Sequence, residues 1–116
     1  MITLNFSGHP ATIEGVTYAP LYGNLTISDS KELQNEILNV LIGLEDFEAL
    51  KGGKTAKVVL PSMSTACGIF LASWHGLFGS FPIINWAVRT DKGFEFLPDL
   101  QADLQNLRNE VREKRF

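Results

Sequence analysis

The sequence predicts an α/β domain with a mostly parallel sheet, helices on both faces and a β-hairpin at one edge. Short apolar segments such as 56–60 (AKVVL) alternate with longer segments whose apolar residues recur at helical spacing. Turn-forming residues separate them, and the turn at 90–93 (TDKG) joins two neighbouring strand-like segments. Because 116 residues with 45% hydrophobic content suffice for one core, we expect a single domain over 1–116.

The first half of the chain contains one clear strand and one clear helix. Residues 2–6 (ITLNF) predict a strand that Ser7-Gly8-His9-Pro10 ends. Residues 11–22 fit either a strand or a short helix, and residues 25–27 are typical of a short strand. Residues 30–44 predict a helix capped by Asp29 or Ser30, because their leucines and isoleucine fall on one face.

The second half of the chain predicts a buried strand, two helices and a hairpin. Pro61 ends the strand at 56–60, and the helix at 64–78 is apolar nearly all round, as in a helix buried on more than one side or against a second subunit. Residues 82–89 and 94–97 predict the hairpin strands. Pro98-Asp99 predicts the start of the last helix, and the apolar face of this helix comprises Leu100, Leu104, Leu107 and Val111.

Charge and composition narrow the classes of function. A net charge of −3 argues against a general DNA or RNA binder, which carries a basic face, but it allows a compact phosphate ligand held by backbone N–H groups. The single cysteine, Cys67, and a start without signal-peptide features predict a cytoplasmic protein, and no apolar stretch predicts a membrane span. With His9, His75 and Cys67 as its soft ligands, the chain predicts no metal site, and we expect no cofactor.

Two segments fall where ligands bind in open α/β sheets, at the carboxyl ends of strands. The first follows the first strand, and its hydroxyl, imidazole and glycine can contact a ligand; it comprises Asn5, Phe6, Ser7, Gly8 and His9. The second enters the apolar helix and offers hydroxyls and free N–H groups at a positive helix end; it comprises Pro61, Ser62, Met63, Ser64 and Thr65.

Each of these residues also has a purely structural interpretation. Ser62 or Ser64 could act as an ordinary N-cap, and His9 could be a solvated turn residue. A lone histidine on an apolar helix, as His75 is, is more often structural or part of an interface. Arg89 could reach a phosphate or be an ordinary surface charge. Neither segment contains a glycine-rich nucleotide fingerprint.

Three motifs resemble a family of short CRISPR-associated accessory proteins, the Csx group found beside type III CRISPR loci. They are N-F-S-G-H-P at the first strand end, L-P-S-x-S before the apolar helix, and W-H-G-x-x-G-x-F-P after its middle. The similarity extends over most of the chain, through ITLNFSGHP, VVLPSMSTACGIFLASWHGLFGSFPIINWAVR and FLPDLQADLQNLRNEVR, and is weakest over 11–55.

The resemblance implies a Rossmann-like domain of the CARF and ring-nuclease group. Such proteins are homodimers that bind cyclic oligoadenylate, usually cyclic tetra-adenylate, across the dimer two-fold axis. Some relatives cleave this antiviral second messenger, and others only sequester it. A two-fold dimer would present two identical sets of loops to a ring with repeated phosphates, and a sequestering protein could also stack into larger assemblies.

Three functions therefore remain open on the sequence alone. The first is a binder that lowers the free level of the ring. The second is a metal-independent ring nuclease, in which the 2′-hydroxyl attacks the adjacent phosphate and His9 supplies the catalytic acid. The third is a non-enzymatic interaction protein that uses its apolar helix. Because neither loop contains lysine or arginine, the sequence favours binding over cleavage.

Overall fold

A computed structural model describes residues 1–8, 16–18 and 25–115 of the chain. Its elements, in chain order, are β1 (Ile2–Asn5), β2 (Val16–Tyr18), α1 (Ser30–Ile42), α2 (Phe47–Lys51), β3 (Ala56–Val59), α3 (Ser64–Phe78), β4 (Ile83–Thr90), β5 (Gly93–Asp103) and α4 (Leu104–Glu113). The α/β class that the sequence predicts is confirmed. His9 and most of the ambiguous segment 11–22 lie outside the described residues, apart from the short strand β2.

The strands form one five-stranded mixed sheet in the order β2-β1-β3-β4-β5. The first four strands in that order are parallel, and β5 returns antiparallel to β4 at the edge, which confirms the predicted hairpin. The connections from β2 to β3 and from β3 to β4 advance in the same direction along the sheet. Right-handed crossovers then place α1 and α3 on the same face, and these two helices pack against each other. Helices on both faces stay a prediction.

The hydrophobic core lies between α1 and α3 and the face of the sheet that these two helices cover. Leu4 on β1 and Val58 on β3 are neighbours in register and are fully buried against the helices. α1 contributes the apolar stripe that the sequence predicts, and α3 contributes three residues one turn apart, which are Ala66, Phe70 and Trp74. Phe70 is central, since its ring centroid lies 4.6 Å from that of Phe6 and 5.7 Å from that of Trp74.

Two sequence predictions are wrong at element boundaries. Residues 25–27 form no strand, because the Thr26 N–H donates to the Glu36 carboxylate on α1 at 2.9 Å instead of to a neighbouring strand. The last helix begins at Leu104, not at Pro98-Asp99. Residues 101–103 pair with β4, which keeps them extended, and the Asp103 carboxylate then caps α4 by accepting the Asn106 N–H at 3.0 Å.

A bulge divides the β4–β5 hairpin into a lower and an upper part. Asn85 pairs with Gln101 and Ala87 pairs with Phe96, so the single residue Trp86 faces the four residues 97–100 of β5. Pro98 within this stretch has no N–H to give to a ladder. Because a bulge bends its strand and increases the local twist, we expect the upper part of the hairpin, residues 87–96, to be twisted relative to the rest of the sheet.

We expect Phe70→Ala to lower the free energy of unfolding by about 3–5 kcal/mol, because it removes a ring from the centre of the aromatic cluster. Urea unfolding followed by tryptophan fluorescence measures this. Phe94→Ala is the matched control, since Phe94 is 69% exposed and its loss should change stability by less than about 0.5 kcal/mol. Equal effects of the two substitutions would contradict this description of the core.

Candidate functional site

The two loops that the sequence predicts as a site lie together in the structure. They follow β1 and β3, which are parallel neighbours with Asn5 opposite Val59. The Ser62 hydroxyl donates to the Ser7 carbonyl oxygen at 2.7 Å, and the Phe6 N–H donates to the Val59 carbonyl oxygen at 2.9 Å. From β1 the chain continues to β2 on one side, and from β3 to β4 on the other. This divergence marks the crevice where open α/β sheets bind ligands.

Asn5 shapes the first loop from below. Its side chain is 1% exposed, and its Oδ1 accepts hydrogen bonds from the Ser7 N–H at 3.0 Å and the Ser7 hydroxyl at 2.7 Å. Gly8 follows with φ of 78°, a left-handed conformation that favours glycine. Asn5 therefore positions Ser7, and Ser7 rather than Asn5 lines the open space described below.

The remaining predicted residues divide between core and surface. Phe6 is completely buried beside Phe70, so its side chain is part of the core. Met63 is the N-cap of α3 and packs against the core, while Ser64 and Thr65 are exposed in the first turn of the helix. Neither Ser62 nor Ser64 is the N-cap, and the Met63 side chain makes no capping hydrogen bond to the N–H groups at the start of α3.

Cys67 supports the second loop. Its thiol donates to the Pro61 carbonyl oxygen at 2.8 Å, which ties the loop to the first turn of α3. Burial raises the pKa of the Cys67 thiol, because the thiolate is less well solvated there than in water. This cysteine therefore has the features of a structural residue and not of a reactive nucleophile.

An open cleft of about 570 Å³ lies between these loops and the hairpin. Its size is in the range of small-molecule sites. Its described lining comprises Ser7, Val59, Leu60, Pro61, Ser62, Ile84, Asn85, Trp86, Ala87, Phe94 and Phe96. Strand alternation places Asn5 and Val59 on the sheet face opposite the core, since their neighbours Leu4 and Val58 point into it. The cleft therefore opens on the face that α1 and α3 leave uncovered.

Asn85 is the polar group at the base of the cleft. The residue is 7% exposed, and within the described part of the chain its Oδ1 is buried without a hydrogen-bond partner. Leaving a buried polar atom unpaired costs about 1–3 kcal/mol. In native proteins such atoms have a catalytic role, store strain, or meet an ordered water, an ion or a ligand.

The hairpin contributes an aromatic wall. Phe94 is 69% exposed and Trp86 is 41% exposed, which is unusual for such large apolar side chains, and Phe96 lies beside them. The Arg89 guanidinium lies 5.9 Å from the centroid of the Phe94 ring, at the rim. Aromatic faces with one polar group at the base suit a flat heteroaromatic ligand better than an aliphatic one.

Sequence reasoning missed most of this half of the site. It considered Arg89 but not Asn85, Trp86, Phe94 or Phe96. The signal that could have found them is the pairing across the 90–93 turn, which sets Arg89 opposite Phe94 and Ala87 opposite Phe96 on one face. The burial of Asn85 has no signal in the sequence, because it depends on how the third and fourth strands meet the hairpin bulge.

The described residues constrain the chemistry of the site. None of the described residues that line the cleft carries a charge. No group of three or more potential metal ligands occurs in residues 1–8, 16–18 and 25–115, and no helix there is both long and apolar enough to cross a membrane. His75 lies outside the cleft lining, and its ring centroid is 4.5 Å from that of Phe81. This contact agrees with a structural role for His75.

Comparison with known proteins gives no relative on which the site could be interpreted. No family model, curated protein or solved structure matches the chain. The geometry of the cleft is therefore the basis for the function proposed below.

We expect the Cys67 thiol to make stability depend on pH. Its raised pKa favours the neutral thiol in the folded state, so this contribution is full below the ordinary thiol pKa of about 8.5 and is lost as pH rises through the higher folded value. Urea unfolding of the wild type and of Cys67→Ala at pH 7 and at about pH 10 isolates it. The stability difference between the two proteins should shrink at high pH, and a constant difference would contradict the assignment.

Proposed function

We propose that this protein binds a cyclic oligoadenylate, cyclic tetra-adenylate in particular, and lowers its free level by sequestration. The observation that carries the proposal is the cleft, which joins the two serine-bearing loops to an aromatic wall with a buried amide. A nucleotide needs both halves, one for phosphate and one for base. The sheet, with its three parallel pairings, is compatible with the Rossmann-like domain that the resemblance implies.

The phosphate half is formed by the two predicted loops. Ser7 and Ser62 lie at the cleft. In the free protein their hydroxyls donate to Asn5 Oδ1 and to the Ser7 carbonyl oxygen, so each would turn from that acceptor to a phosphate oxygen on binding. α3 begins two residues after Ser62, just beyond the lining, and its first backbone N–H groups and positive dipole end would favour a phosphate that extends from the cleft toward them. These donors act over short distances, so the net charge of −3 does not oppose binding of a compact phosphate.

The base half is formed by the hairpin. Stacking a base on an aromatic side chain is worth about 1–3 kcal/mol, and both Phe94 and Trp86 leave much of their surface open to such contact. Arg89 stands at the rim beside Phe94, where it could meet a neighbouring phosphate of the ring. On the sequence alone, Arg89 was more consistent with an ordinary surface charge than with a phosphate contact, and its place beside Phe94 supports the phosphate contact.

Binding without cleavage is favoured by the uncharged lining. Cationic side chains near the phosphate stabilise the negative charge that develops on its oxygens during cleavage, and none of the described residues of the cleft wall is cationic. His9, the proposed catalytic acid, lies outside those residues. Cleavage by a metal-independent ring nuclease therefore becomes the alternative outcome of the binding experiment.

The decisive experiment mixes the purified protein with radiolabelled cyclic tetra-adenylate. A gel shift reports binding, and denaturing chromatography after an hour reports products. Tight binding of an intact ring supports sequestration. Linear products with a 2′,3′-cyclic phosphate would identify a ring nuclease, and His9→Ala would then test the acid. If the protein neither binds nor cleaves the ring, the proposal is contradicted, and the non-enzymatic interaction protein is favoured.

Phe94→Ala should weaken binding of cyclic tetra-adenylate by about tenfold to a hundredfold, because it removes one stacking surface. Since Phe94 is mostly exposed, the fold should be unaffected. Leu107→Ala on α4, also about half exposed, is the control and should bind like the wild type. Titration by fluorescence anisotropy measures both variants, and an unchanged affinity of Phe94→Ala would remove the base half from the proposal.

We also propose that the protein is a homodimer in the cytoplasm that uses the exposed side of α3. Because α3 covers the sheet face opposite the cleft, each subunit of this dimer would present its own cleft, in place of the shared site across the two-fold axis that the resemblance implies. Gly68, Ala72 and Gly76 lie one turn apart on that side and are exposed. Among the described residues, a methyl group added at either glycine would meet no atom within 4 Å beyond its chain neighbours and the backbone of its own helix. Glycine inside a helix costs about 1 kcal/mol relative to alanine, and close approach of a second helix would explain why two of them occur here.

The double variant Gly68→Ala/Gly76→Ala should dissociate the dimer, because two methyl groups would hold the subunits apart. Its helix should at the same time gain about 1 kcal/mol for each substitution. Light scattering after size exclusion gives the mass, and thermal melting gives the stability. Glu110→Ala, at an exposed position of α4, is the control for mass. A double variant that is as dimeric as the wild type would contradict this interface.

A further inference from the structure

We infer that Asn85 is the specificity-determining residue of the cleft and that its amide recognises the amino group of an adenine base. This inference rests on the proposed function and names which part of the ligand the base half selects. Its starting point is the unpaired Oδ1 of a residue that is 7% exposed.

The position of Asn85 directs it toward the cleft. Ile84 is in register with Val58 and packs against the core, so alternation along β4 turns Asn85 to the opposite face. Ala87 and Phe96, which pair with each other above Asn85, line the same cleft. A base lying against Phe94 and Phe96 would therefore direct its edge down the strand toward the Asn85 amide.

The chemistry of the amide selects among bases. A carboxamide presents one acceptor and two donors, and it pairs in a bidentate manner with adenine, accepting from the 6-amino group and donating to a ring nitrogen. The last torsion of asparagine has a broad energy profile, so the amide can turn toward the cleft at little cost. The unpaired Oδ1 would then gain the donor that it lacks in the free protein.

The hydrophobic surroundings make this contact discriminating. A buried polar group rejects a ligand that cannot pair with it, because the unpaired group then stays desolvated. Apart from Asn85, the polar side chains of the described lining are Ser7 and Ser62, and their hydroxyls already donate to Asn5 Oδ1 and to the Ser7 carbonyl oxygen. The rest of the described lining is apolar or aromatic and cannot replace the missing partner. A purine without the 6-amino group should therefore stack on Phe94 as well as adenine does but lose the contact below.

The test is a cycle of two proteins and two ligands. The ligands are cyclic tetra-adenylate and the same ring built from purine riboside, which lacks the 6-amino group. The proteins are the wild type and Asn85→Leu, a substitution of similar shape without polar atoms. The wild type should prefer the adenine ring by about tenfold or more, and Asn85→Leu should bind both rings within about twofold of each other. Isothermal titration calorimetry measures the four affinities.

Two further measurements separate recognition from folding. Because Asn85→Leu removes an unpaired buried oxygen, its melting temperature should equal or exceed that of the wild type. Asn85→Ala serves as the second variant if leucine is not accommodated, and it should show the same loss of preference. Asn39→Leu, an exposed position on α1 across the sheet, is the matched control and should keep the preference of the wild type.

The outcomes distinguish this inference from the function on which it rests. A wild type that binds both rings equally would overturn the role of Asn85 and leave the binding function standing. A wild type that binds neither ring would overturn the proposed function. In that case the monophosphates of adenosine and purine riboside are compared in the same cycle, where an Asn85-dependent preference for adenosine monophosphate upholds the inference and its absence overturns it.

Discussion

The parallel pairing of β1 with β3 is the constraint on which the rest of the structure depends. It sets the ends of two strands, more than fifty residues apart in sequence, side by side, with Asn5 opposite Val59. The loops that follow the two strands are therefore close enough for a short side chain to join them, and the Ser62 hydroxyl donates to the Ser7 carbonyl oxygen. Because the chain leaves these two strands in opposite directions across the sheet, the space beyond their ends stays open.

The two faces of the sheet perform different tasks. On one face, Leu4 and Val58 are sealed beneath α1 and α3, and the interlocking rings of Phe6, Phe70 and Trp74 supply much of the buried apolar surface. On the other face, at the same strand ends, small polar side chains and exposed aromatic rings lie among aliphatic residues such as Val59 and Ala87. The hydrophobic core can thus stay rigid while a neighbouring surface keeps groups that folding alone would not select.

The sequence was sufficient for features that depend on local chemistry and insufficient for those that depend on tertiary geometry. Helical spacing in 30–44 and 64–78, and the turn at 90–93, located α1, α3 and the hairpin. The motif positions also located the two loops, because parallel strands share one edge. Propensity placed the last helix at Pro98-Asp99, and pairing with β4 overrode it. The burial of Asn85 arises from three strands and a bulge, which no local pattern encodes.

Asn85 relates the stability of the free protein to its proposed function. A buried oxygen without a partner lowers the stability of the folded state, and leucine would fill the same volume without this cost. The cost falls on the unliganded protein alone, so a ligand that supplies the missing donor recovers it as binding energy. The same holds for Phe94 and Trp86, whose exposed rings gain from being covered. The three residues lie on one hairpin beside one cleft. A flat ligand that carries an amino group would cover the two exposed rings and supply the donor that the buried oxygen lacks, at a cost in stability to the free protein.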